Sequence, residues 1–176
     1  MHRTDRKRVL VVGDDAEHFG AMSFALQVAG IDATIVARGA AGVKAHRTRP
    51  FDLVIVDMTT PVRTAAETII ALKRSGPVRV LALSDGLAAG PEYYLVLARH
   101  VGADAVTSRP CSMSTLTRRI ERLLDEPPPP MPDGLDEERL EAMLDMADRL
   151  DDAVMIARLM LAQARKARGE GAYSTH

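Results

Sequence analysis

The chain has no tryptophan and only three tyrosines and three phenylalanines, so aromatic residues make up 3% of it. That argues against a protein that stacks bases or sugars on aromatic platforms, and it makes the expected core aliphatic. One cysteine, Cys111, allows no disulfide within the chain and suits a reducing, cytoplasmic compartment. Neither sign of charge prevails: 23 Lys and Arg stand against 24 Asp and Glu, a formal net charge of −1. Such a balance speaks against a dedicated nucleic-acid binder. No apolar run approaches the ~18–20 residues of a membrane span. The basic start, His2 to Arg8, lacks the apolar core and cleavage site of a secretory leader. A cytoplasmic protein without a membrane segment is expected.

What is present is an alternation. Short aliphatic runs, Val9–Val12, Ala33–Ala37, Leu53–Val56, Val78–Leu83 and Ala105–Thr107, alternate with stretches of helical period. The latter are Glu17–Ala29, Ala41–Arg47, Ala65–Arg74, Tyr93–Val101 and Ser114–Leu124, most followed by Gly or Pro stop signals. Several of the strands are continuously apolar rather than alternating, as strands covered on both faces must be. The fold class expected is α/β, a doubly wound five-stranded parallel sheet with the first, third and fourth strands central.

Composition changes abruptly at residues 126–134, where Pro127 to Pro130 form a stiff extended spacer. Residues 1–125 therefore form one expected domain and 126–134 a linker. Residues 135–168 hold neither Gly nor Pro and form an expected helical extension, followed by a tail, 169–176. In the extension Leu140, Met143, Ala147, Leu150, Val154, Ala157, Leu161 and Ala164 recur at spacings of three and four, a heptad seam. Met146, Ala153, Met160 and Ala167 widen the apolar face. Self-association as a homodimer through this seam is the preferred expectation. The alternatives are a helix folded back on its own domain, and a hairpin broken near Asp151-Asp152 that docks on another protein. The stretch is too short and too mixed in charge for a DNA-binding output, and no catalytic output motif is present.

In open parallel sheets, ligands sit beyond the carboxyl ends of the strands. The residues there are Gly13-Asp14-Asp15, Asp57, Ser84-Asp85 and Thr107-Ser108-Arg109. Carboxylates, a hydroxyl and a cationic group are the donors that Mg2+ and a phosphoryl group need. The five His residues show no metal spacing. Cys111 has no His near it in sequence, and no glycine pattern suits a dinucleotide.

On Val9-Leu10-Val11-Val12-Gly13-Asp14-Asp15, Phe51 to Asp57, Pro61, Leu83-Ser84, Gly102-Ala103-Asp104 and Arg109-Pro110, the segment Arg8–Leu124 resembles the response-regulator receiver domains of two-component signalling. The resemblance implies a flavodoxin-like strand order 2-1-3-4-5 and a phosphorelay function. Asp57 would take a phosphoryl group from a histidine kinase or phosphotransfer protein. Mg2+ would lie on Asp14 and Asp57, with Asp15 as a further candidate, and Ser84 and Arg109 would meet the phosphate. It implies no enzyme of its own.

Five departures stand beside these matches. Gly13 occupies the place of the family's first acid, Arg109 that of its lysine and Val106 that of its aromatic reporter. Asp85 follows the hydroxyl where a small residue is usual, and no glycine occurs at Thr64-Ala65. Lysine and arginine are poorly interchangeable in a tight anion site. The second reading they leave open is a phosphorylation-independent pseudo-receiver, acting as an adaptor, a dimerisation module or a kinase inhibitor.

Overall fold

Side chains of a strand alternate between the two faces of its sheet, so a strand that is apolar at every position must be covered on both sides. A computed structural model describes residues 6–59, 61–85, 91–127 and 137–171 and shows this arrangement. In chain order its elements are β1 (Arg8–Val12), α1 (Ala16–Val28), β2 (Asp32–Val36), α2 (Gly39–Thr48), β3 (Leu53–Asp57) and α3 (Val62–Ser75). There follow β4 (Arg79–Asp85), α4 (Pro91–His100), β5 (Ala105–Arg109), α5 (Met113–Asp125) and α6 (Glu137–Gly171). The strands pair in parallel in the order 2-1-3-4-5, so β1, β3 and β4 are central, as their composition requires.

Parity divides the core. Val9, Val11, Leu53, Ile55, Leu81 and Leu83 face α1 and α5, where Phe19, Met22, Leu26, Leu116, Ile120 and Leu124 cover them. Leu10, Val12, Val54, Val56, Val80 and Ala82 face the other way, onto Ala66 and Ile69 of α3 and Leu97 and Ala98 of α4. Each fully buried aliphatic side chain contributes about 1.5–3 kcal/mol of burial. Strand β2 lies at the edge and is half exposed.

Several boundaries differ from the periodicity reading for local reasons. Helix α3 begins at Val62, directly after Pro61, whose carbonyl accepts the first helical hydrogen bond from Ala65 N at 3.1 Å. Strand β4 runs on through Asp85, because Ser84 and Asp85 still pair with Ser108 and Arg109 of β5. Polar residues expected in loops are thus part of the sheet. A buried ion pair ties the far end of the domain: Lys73 Nζ donates to Asp104 at 2.6 Å and to Val78 O at 2.9 Å. Gly102 sits at φ +110 beside the Lys73 stem, a conformation that favours glycine.

Helix α6 is continuous over 35 residues, past Asp151-Asp152, and about 50 Å long. Its first half folds back on the domain. Leu140, Leu144 and Ala147 are buried in the α3/α4 core, with Met143 packed against it. Arg63 on α3 clamps it, reaching Glu141, Asp145 (3.4 Å) and Asp148 (3.2 Å), and Tyr94 Oη donates to Asp151 at 3.1 Å. The hydrogen bonds to Glu141 and then Asp148 push the Arg63 pKa further up, so this cation stays charged at all accessible pH. Of the heptad seam, Leu140, Met143 and Ala147 therefore face their own domain, and Ala164 is exposed. The side chains of Leu150, Val154, Ala157 and Leu161 lie outside the described ones, as do residues 86–90, most of the expected linker 126–134 and residues 172–176.

Candidate functional site

The carboxyl ends of β1, β3 and β5 bring Asp15, Asp57 and Arg109 together. Asp57, the last residue of β3, shares its parity with Leu53 and Ile55 and so faces α1. Its side chain is 0% exposed. Thr59 N donates to Asp57 Oδ1 at 3.0 Å, and Arg109 Nη2 lies 3.4 and 3.5 Å from the two carboxylate oxygens. The other terminal nitrogen of Arg109 is 3.5 Å from Asp15 Oδ2. Asp15 in turn caps α1, its Oδ1 accepting from His18 N at 3.0 Å. One guanidinium thus bridges two carboxylates, as its fork geometry permits. Arg109 itself is 13% exposed, its carbon end 6.0 Å from the centroid of Phe19, and its Nε is buried without a hydrogen-bond partner. The Arg109-Pro110 bond is cis.

The first departure has a steric counterpart. A Cβ built on Gly13 would meet the Phe19 ring at 2.3 and 2.8 Å and the Asp57 Cβ at 2.9 Å. The ring of Phe19 therefore occupies the place in which a side chain at position 13 would stand. Sequence reasoning missed Phe19, although an aromatic four residues after Asp15, in a chain with so few, was the available signal. It also missed Thr59, whose contribution comes from the backbone and carries no sequence signature.

The remaining candidates are placed as follows. Asp14 is exposed. Ser84 is buried on β4, one residue beyond the Leu83 that pairs with Asp57. Val106 is buried, where it packs against the α3/α4 side.

Does this donor set fit a divalent cation? Among the described residues no three His, Cys, Asp or Glu side chains gather to hold one. Asp57 and Asp15 already share Arg109, and position 13, where the family's first acid would stand, is a glycine under Phe19. Mg2+ requires octahedral oxygen ligation, with one or two carboxylates free to bind. The residues in this arrangement do not fit it, because a guanidinium stands between the two acids.

A parallel sheet of order 2-1-3-4-5, with its polar cluster at the switch between β1 and β3, defines the flavodoxin-like class. No protein-family model and no curated protein sequence matches the chain. Solved structures do. A CheY-like response regulator receiver domain protein from Methanospirillum hungatei JF-1 superposes with a TM-score of 0.62 at 24% identity, covering 69% of this chain and 95% of that one. Chemotaxis protein CheY4 of Vibrio cholerae gives 0.59 at 26% identity, covering 67% and 98%. An orphan response regulator of H. pylori gives 0.58 at 28% identity, covering 67% and 96%. The segment Arg8–Asp125 has the fold of the response-regulator receiver domains, and α6 is an extension of it.

Proposed function

We propose that the protein is a receiver-type signalling module that acts by protein–protein contact, with its acidic pocket held closed by Arg109 and not cycled through phosphorylation. The observation that carries this reading is the Asp57 carboxylate, 0% exposed and covered by the guanidinium that also reaches Asp15. A carboxylate that attacks a phosphoryl donor needs an open in-line approach and a cation that screens the charge building on the transferred group. Here the approach is filled, and the neutralising charge belongs to the Arg109 side chain itself. No Mg2+-dependent step is assigned, and no enzymatic activity. A cytoplasmic setting fits the single free Cys111.

A second reading has its own support. Thr59 N–H already donates to Asp57, and Ser84 is buried on the neighbouring strand, so part of an oxyanion environment exists. In that reading Asp57 takes a phosphoryl group from a histidine kinase or phosphotransfer protein, and Arg109 pairs with the phosphate.

Incubation of the full chain with Mg2+ and a small-molecule phosphoryl donor, and separately with a phosphorylated kinase, followed by intact mass, decides between them. No adduct is expected under conditions that label a competent receiver. An adduct that Asp57→Asn abolishes would establish the second reading.

A further inference from the structure

The second half of α6 carries an apolar patch that the receiver does not cover. Met155 is 56% exposed, Ile156 53%, Leu159 58% and Met160 66%. They form two adjacent pairs four residues apart, hence one face of the helix. Met146, also exposed, precedes Met160 on a stripe of heptad spacing that includes Ala153 and Ala167. Large apolar side chains clustered in this way mark an interaction surface.

The charge on α6 says what covers it. Residues 137–152 hold seven acids and two bases, whereas residues 153–168 hold four bases and no acid. Two copies paired in parallel would set acid against acid and base against base. Paired antiparallel about a centre between residues 157 and 158, the stretch 147–152, with Asp148, Asp151 and Asp152, lies beside the stretch 163–168 of the other copy, with Arg165, Lys166 and Arg168. The same centre makes the patch self-complementary: Met155 meets the second copy's Met160, and Ile156 meets its Leu159. That is the isologous contact of a two-fold dimer. The first half of the helix stays on its own receiver through Leu140, Leu144 and Ala147.

We propose that the occupant of the patch is a second copy of this chain, paired antiparallel through residues 147–168 of α6. The dimer buries Met155, Ile156, Leu159 and Met160 and leaves each receiver attached at an opposite end of the helix pair.

Analytical ultracentrifugation of the full chain at micromolar concentration is expected to show a dimer. Ile156→Glu, a substitution at an exposed site that leaves the receiver intact by circular dichroism, weakens it at least tenfold. Salt near 1 M, where screening shortens to ~3 Å, weakens it as well. Orientation is read in a Cys111→Ser background by mixing Asp152→Cys with Gln163→Cys, both at exposed positions. Mixed disulfides are expected to predominate over self-disulfides. A chain that stays monomeric throughout the micromolar range overturns the proposal, as does a dimer that Ile156→Glu does not affect. Predominance of self-disulfides overturns the antiparallel pairing. Flotation of a monomeric chain with vesicles rich in phosphatidylserine, lost in Ile156→Glu, assigns the patch to an anionic membrane surface and overturns it too.

Discussion

His46 shows how one residue ties stability to pH. Its ring is buried and stacked on Phe51, and its Nδ1 accepts the Phe51 N–H at 3.1 Å, so the neutral tautomer carries its proton on Nε2. Burial lowers its pKa below the usual 6.5, and the nearby Arg8 guanidinium adds to the effect. The unfolded chain therefore binds a proton near pH 6.5 that the folded chain still refuses, and linkage makes stability fall as pH drops below that value. The fall ends once pH passes the lower folded pKa, and each unit between the two corresponds to about 1.4 kcal/mol. Urea unfolding between pH 8 and 5 is expected to show this loss, and His46→Gln to lack that part of the slope. Equal slopes in the two proteins would reject it. At the same scale, Gly13 cannot simply be returned to an acid: Gly13→Asp requires Phe19 to be cut back as well, because the ring lies where the new side chain would go.

Among the elements, α6 divides into a docked half and a projecting half, and the docked half has two kinds of hold on α3. Leu144 is buried in the α3/α4 core, while Arg63 makes partly exposed ion pairs to Glu141, Asp145 and Asp148. Truncating a buried leucine to alanine costs about 2–5 kcal/mol, whereas solvent-exposed ion pairs contribute far less. Leu144→Ala is therefore expected to raise amide exchange in residues 137–152 far more than Arg63→Ala does, with the central strands β1, β3 and β4 unchanged in both. The reverse ranking would show that charge, not burial, fixes the helix. The central strands β1 and β3 were legible in the sequence because parallel strands buried on both faces are runs of aliphatic residues with little polar interruption. Helix starts were less so: the α3 start follows from a proline carbonyl, and the β4 end from pairing with β5, neither of which leaves a periodic trace. Asp57 and Arg109 could be named from order and spacing. The ring of Phe19 over Gly13 could not, since it depends on how α1 leans across the sheet. A heptad seam likewise shows that a face is apolar but not which surface it meets, and here Leu140 and Ala147 meet their own receiver.

For the whole molecule, the two halves of α6 carry separable tasks, and two truncations should tell them apart. Removing everything after Asp152 deletes Met155, Ile156, Leu159 and Met160 but keeps Leu140, Leu144, Ala147 and the acids that hold Arg63. Removing everything after Asp125 also strips the α3/α4 surface around Ile70 of its cover and frees Arg79 from its partners at Glu126 and Pro127. The burial lost is about two leucines and an alanine, on the order of 3 kcal/mol once the ordering of the helix is set against it. For a domain of this size that corresponds to a fall in melting temperature of roughly 10 °C. Cutting after Asp152 is expected to abolish self-association while moving the melting temperature by no more than a dimer's own contribution, which vanishes on dilution. Thermal unfolding followed at two protein concentrations, beside ultracentrifugation, checks both. If the shorter truncation melts with the longer one, α6 is a single structural unit, and the separation of docking from dimerisation fails.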